Sequence, residues 1–146
     1  VEAEISLPVN VDLPLASGLP AEYIPDQALR LRLYRRLADV TDEAGLDALA
    51  AEFHDRFGPL PEMAGNLFYQ MRVKLRAEKA GLVGIGWESG QIVLRYPPAP
   101  EDEKSVRRLP DLGPAVRGGK NAYWCMFGKE EDWPERLLET LKRLEK

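Results

Sequence analysis

The chain is poor in the side chains that most often carry chemistry. Its 146 residues hold one histidine, His54, and one cysteine, Cys125. A single thiol forms no internal disulfide, which fits a reducing compartment and a cytoplasmic setting. A zinc centre would have to take its remaining ligands from carboxylates, so no metal is expected. No apolar run approaches the roughly 18 residues of a membrane span, and no signal peptide is visible. No membrane partner is expected. Positive charge is not in excess either: the net charge is −4, whereas a dedicated nucleic-acid domain is usually basic. A phosphate loop of the form G-x-x-x-x-G-K-[ST] is missing. Gly81, Gly84 and Gly86 do not have the spacing of a dinucleotide fingerprint, and no helix follows them. No cofactor is expected.

What is present is an ordinary globular mix, 45% apolar and 30% charged, at a length that suits one domain with a real core. The chain opens on Val rather than Met, as expected for a domain of a longer protein. Its first 25 residues read as an extended ribbon. Ile5, Leu7, Val9, Val11, Leu13 and Leu15 alternate with other residues, and Pro8 and Pro14 confine such a strand to an edge. Asp26 is placed to cap a helix over 26–40, in which Leu29, Leu33 and Leu37 recur on one face and Arg30, Arg32, Arg35 and Arg36 occupy the other. Thr41 or Asp42 caps a second helix over 43–57, with Leu46, Leu49, Ala50, Phe53 and Phe57 inward. Gly58 and Pro59 end it, and Pro61 opens a third helix over 61–80 that Gly81 stops.

The apolar period then changes. Leu82–Trp87 and Gln91–Tyr96 read as a hairpin turned at Glu88-Ser89-Gly90. A proline-rich connector follows, then a short helix over 101–109. Ala115–Arg117 and Ala122–Phe127 form a second strand pair around Gly118-Gly119. Asp132 caps a last helix with a stripe of Trp133, Leu137, Leu138, Leu141 and Leu144. Helices first, strands next and a helix last make an α+β fold. It comprises an N-terminal extended ribbon, a three-helix antiparallel cluster, antiparallel β-hairpins and a C-terminal helix. One domain over 1–146 is expected, divided into a lead-in (1–25), a helical part (26–81) and a β-rich part with the terminal helix (82–146).

The stretch EFHDRFGPLP, residues 52–61, places Glu52, His54, Asp55 and Arg56 close together in sequence. A helix separates them. With Phe53 turned inward at about 100° per residue, His54 and Arg56 fall to opposite sides. Glu52 and Asp55 share the outer face with Ala48 and Ala51. Acid–base catalysis wants titratable groups converging in a cleft, so no catalytic constellation is expected. Two readings of the acids stand: ordinary solvated charges, or a docking face. Small residues there would admit another surface and the acids would pair with its arginines. Cys125, among Tyr123, Trp124, Met126 and Phe127, reads as a buried strand thiol. The four arginines of the first helix are the best nucleic-acid candidates, as phosphate contacts.

The runs Tyr23-Ile24-Pro25-Asp26, Arg30-Leu31-Arg32-Leu33-Tyr34-Arg35-Arg36-Leu37-Ala38 and Asp55-Arg56-Phe57-Gly58-Pro59-Leu60-Pro61 resemble the C-terminal domain of bacterial transcription-repair coupling factor. Lys74-Leu75-Arg76 and Lys79-Ala80-Gly81-Leu82 follow in the same style. The resemblance is most specific over Tyr23–Leu82 and rests on element order beyond it. It implies a regulatory, non-enzymatic domain of a large ATP-dependent DNA translocase that acts on stalled RNA polymerase and recruits the excision-repair protein UvrA. The domain would dock on an N-terminal UvrB-like domain of the same protein, mask its UvrA-binding surface and so act by autoinhibition. Glu52 and Asp55 map onto the family's contact positions. RNA polymerase, DNA and UvrA are then partners through the parent protein. The alternative is an accessory nucleic-acid-binding module using Arg30, Arg32, Arg35 and Arg36.

Overall fold

The structure, a computed structural model, describes residues 9–98 and 109–145. Among them stand four α-helices and five strands, in an α+β arrangement. The chain divides into two compact units. One is Pro14–Leu75; the other holds the described residues up to Leu13 and from Arg76 onward.

The first unit is helical. Asp26 caps α1 (Gln27–Ala38), its carboxylate accepting from the Ala28 and Leu29 amides at 3.0 and 3.2 Å. Of the two candidate caps for α2 (Glu43–Phe57), Asp42 takes the role, accepting from the Gly45 amide at 2.7 Å. Gly58 closes α2 at φ +92°, and its N–H donates to the His54 carbonyl at 3.0 Å. The backbone there, with ψ −175°, is not the left-handed helical turn but a conformation almost reserved to glycine. α3 (Glu62–Ala80) begins in this unit. Leu33 and Leu37 of α1, Leu46, Leu49 and Phe53 of α2 and Ala64, Phe68 and Leu75 of α3 form one core with Leu19 and Ile24. Phe53 meets Phe57 and Phe68 edge to face, with centroids 5.8 and 5.2 Å apart, the geometry aromatic quadrupoles favour. Tyr23 links the chain before α1 to the end of α2. Its hydroxyl donates to the Gly58 carbonyl at 2.8 Å, and its ring packs on Phe57 at 5.8 Å.

The second unit is built on a sheet ordered β1-β2-β3-β5-β4. Among its described residues the extended ribbon contributes β1 (Asn10–Val11), paired parallel to β2 (Gly84–Glu88); Ile5 and Leu7 lie outside the described residues. Pro14, which lacks an N–H, follows soon after. β2 and β3 (Gln91–Arg95) form the expected antiparallel hairpin. Positive φ at both Ser89 and Gly90 suits the strand twist of a tight two-residue turn. β3 is the middle strand, and Ile92, Val93 and Leu94 are all buried, as a strand covered on both faces should be. β4 (Val116–Gly118) and β5 (Ala122–Cys125) form the second hairpin.

β5 stops at Cys125, earlier than expected. Met126–Lys129 turn into a short 3-10 helix, and Met126 is exposed while Phe127 is buried. α4 (Trp133–Arg143) buries Leu137 and Leu141, with Leu144 buried just beyond its end. Asp132 precedes it without a side-chain capping bond, and Pro134 stands in its first turn. The helix expected over 101–109 falls, except for Leu109, outside the described residues.

Candidate docking surface

α2 turns Leu46, Leu49 and Phe53 into the core at 4% exposure or less. At about 100° per residue, its outward direction then falls on Ala44, Ala48, Ala51 and Asp55, all exposed. Glu52 sits on the flank nearer α1, half-buried. The face is small and smooth along its crest, with one acid at its end and one at its side.

The two acids are in different electrostatic states. Glu52 is clamped. Arg36 of α1 donates to both carboxylate oxygens, Nη1 to Oε2 at 2.6 Å and Nη2 to Oε1 at 2.8 Å. Arg56, one turn along α2, adds a bond to Oε2 at 3.0 Å. The bond from Arg36, seconded by that from Arg56, pulls the Glu52 carboxyl from its ordinary 4.5 down to about 2. Asp55 is exposed and, among the described residues, forms no ion pair or side-chain hydrogen bond. Its charge is available to an incoming partner, whereas Glu52 offers only what two guanidiniums leave over.

A second clamp holds the opposite flank. Arg72 of α3 donates to Glu43 at 2.8 Å and pairs with Asp47, both on α2. These pairs stitch α1 to α2 and α2 to α3. The sequence reading missed them because Arg36 and Glu52 stand 16 positions apart and Arg72 stands 29 from Glu43. Only the Glu52–Arg56 spacing of four was a readable signal.

The arginine set of α1 divides. Arg30 donates to the Ile24 and Pro25 carbonyls at 2.7 and 3.2 Å, closing the turn that enters the helix. Arg36 belongs to Glu52. Arg32 and Arg35 are exposed and make no side-chain bond among the described residues. A four-arginine phosphate surface is therefore reduced to two uncommitted cations.

The remaining reactive candidates stand apart. His54 is exposed on α2. Among the described residues no three metal-ligating side chains gather, and no helix is long and apolar enough to cross a membrane. Cys125 is fully buried in β5, and burial pushes its thiol up to about 12.

The TRCF domain family matches residues 13–106, a span that holds all of α1, α2 and α3. The transcription-repair-coupling factor of Mycobacterium bovis is 35% identical over 105 residues, covering 72% of this chain and 8% of that protein. The one from Staphylococcus epidermidis is 31% identical over 144 residues, covering 94% and 12%. A solved crystal structure of the C-terminal domain of transcription-repair coupling factor superposes with a TM-score of 0.74 at 18% identity, covering 94% of this chain and 93% of that one. At that identity the likeness speaks for the fold. The chain thus spans about a tenth of the length of its curated relatives. It belongs to the TRCF domain family, and its fold is that of the C-terminal domain of a transcription-repair coupling factor.

Proposed function

We propose that this domain is a non-catalytic, autoinhibitory module of a transcription-coupled DNA-repair translocase. In this reading it docks through the outer face of α2 on an N-terminal UvrB-like domain of the same polypeptide and covers the surface UvrA would use. The parent protein is a cytoplasmic ATP-dependent translocase, and RNA polymerase and DNA are engaged by its other parts. The observation that carries the reading is the face itself. Ala48 and Ala51 lie open beside an uncommitted Asp55, while Glu52 is held ionised at its edge.

The physical logic is that of a reversible lock. Alanines let a partner helix or strand approach closely, and Asp55 accepts an arginine in bidentate fashion. Glu52 keeps one lone pair of its carboxylate unused after its three bonds to Arg36 and Arg56, so a partner arginine shares that carboxylate or displaces Arg36. A contact resting on few charge pairs is modest in strength and sensitive to salt. Events elsewhere in the parent protein can then open it, since a few kcal/mol suffices to invert a two-state population.

The alternative, a nucleic-acid module on α1, is weakened because Arg30 and Arg36 are already committed within the domain. The two readings separate in one binding assay. The N-terminal UvrB-like domain of the parent protein is titrated with this chain, and UvrA is then added as competitor. Saturable binding displaced by UvrA, and weakened by about tenfold or more in Asp55→Lys, supports the lock. Equal affinity of wild type and Asp55→Lys overturns the site. Binding to a DNA duplex that falls steeply with salt, without binding to the protein domain, supports the alternative.

A further inference from the structure

The clamp on Glu52 bears on how the α2 face is used. Arg36 stands in the last turn of α1 and reaches across to α2, where its two terminal nitrogens meet both Glu52 carboxylate oxygens at 2.6 and 2.8 Å. This fork-to-fork pairing is the arrangement in which an arginine from another surface would hold the same carboxylate. Arg56 adds one bond, to Oε2 at 3.0 Å, from the same helix as Glu52. It takes a single oxygen and leaves the other to Arg36. Arg36 is thus the group that stands where an incoming guanidinium would stand. It is also free to leave. Its side chain is 50% exposed and, among the described residues, is held only by Glu52. On release the cation stays at the C-terminal end of α1, where the helix dipole favours positive charge.

We propose, resting on the docking reading of the α2 face, that Arg36 is an intramolecular competitor for the docking partner. It occupies the Glu52 carboxylate in the free domain and is displaced when a partner arginine takes that carboxylate. Docking then exchanges one bidentate pair for another, so Glu52 contributes only the difference between them. Asp55, with no pair to give up, contributes in full. On release Arg36 recloses on Glu52 and stabilises the open domain, which keeps the lock weak enough to reverse. The exchange also favours a guanidinium over an ammonium on the partner, because a lysine cannot replace both bonds of Arg36. A merely structural Arg36 would alter the stability of the domain and leave docking by the folded chain unchanged.

The test titrates the N-terminal UvrB-like domain of the parent protein with wild type, Arg36→Gln, Arg36→Lys, Glu52→Gln and Arg36→Gln combined with Glu52→Gln, each checked for folding by circular dichroism. Arg36→Gln should bind about two- to fivefold more tightly than wild type, the scale of an exposed ion pair. Arg36→Lys should fall between, since lysine keeps the charge but not the fork, and it decides the test should Arg36→Gln fail to fold. In the Glu52→Gln background the gain should vanish. In the free chain, carboxyl carbon shifts followed against pH should show Glu52 titrating at about 2 in wild type and closer to 4.5 in Arg36→Gln. A gain that persists in Glu52→Gln overturns the inference, because it comes from net charge alone. So does equal or weaker binding by Arg36→Gln, or a Glu52 midpoint that Arg36→Gln does not move. Asp55→Lys in the same assay separates the two claims. If Asp55→Lys loses binding while Arg36→Gln gains none, the docking face stands and the competitor falls. If wild type does not bind, or Asp55→Lys binds equally, the docking reading falls and the competitor with it.

Discussion

At the residue scale, Glu52 is the most informative position. A carboxyl held below its ordinary value contributes stability that is full above 4.5 and is lost as the pH falls toward about 2. Glu52→Gln should therefore be less stable than wild type at neutral pH, with the difference closing as the pH drops through that window. Urea denaturation followed by circular dichroism measures it, and a gap that stays constant down to pH 2 would show that the Arg36 clamp does not persist in solution. High salt should narrow the gap at neutral pH, because the pair lies at the surface. Phe53, fully buried between Phe57 and Phe68, belongs to another regime. Phe53→Ala should cost about 3–5 kcal/mol through lost burial and the cavity left behind, read from the same denaturation curves. That Phe53 faces inward and Asp55 outward was legible in the sequence, because both follow from helical period alone. That Arg36 would seize Glu52 was not. A bidentate pair across two helices depends on how each is rotated and how closely they pack, which period does not encode.

At the element scale, the helices were the most readable part. Their caps and stops are local chemistry: Asp26 and Asp42 accept amide protons at helix starts, and Gly58 ends α2. Gly58 has open space where a Cβ would stand, so the penalty of Gly58→Ala is conformational rather than steric. It should amount to about 1–3 kcal/mol, and a substitution that leaves the thermal midpoint unmoved would contradict the positive φ described for this residue. The strands were less readable at their ends. Among the described residues before Pro14 only Asn10–Val11 pair as a strand, and the apolar run Ala122–Phe127 concealed a strand that gives way to a 3-10 turn after Cys125. Apolar runs alone do not tell a strand from a buried turn. Cys125 tests the second unit directly. Buried, with its thiol raised to about 12, it should react with an aromatic disulfide reagent only at the rate at which that unit opens, accelerating with denaturant. Immediate labelling of the native chain would place the thiol at the surface.

At the scale of the whole molecule, α+β class and family membership were both legible, the first from the change of apolar period near Leu82 and the second from the motifs between Tyr23 and Leu82. That Ala48, Ala51 and Asp55 share the outward side of α2 was legible, whereas Glu52, expected beside them, stands on the flank toward α1. The division into a clamped Glu52 and an uncommitted Asp55 emerged only with the packing of α1 against α2. In the proposed lock, most of the electrostatic grip would fall to Asp55. If the domain masks a UvrA-binding surface within its parent protein, as proposed, the affinity of the full-length parent protein for UvrA should differ between wild type and Asp55→Lys. The lock predicts weak UvrA binding by wild type and binding strengthened by about tenfold or more when the charge is reversed, with the folded stability of this domain unchanged. Equal UvrA affinity in the two proteins, at equal stability, would contradict it.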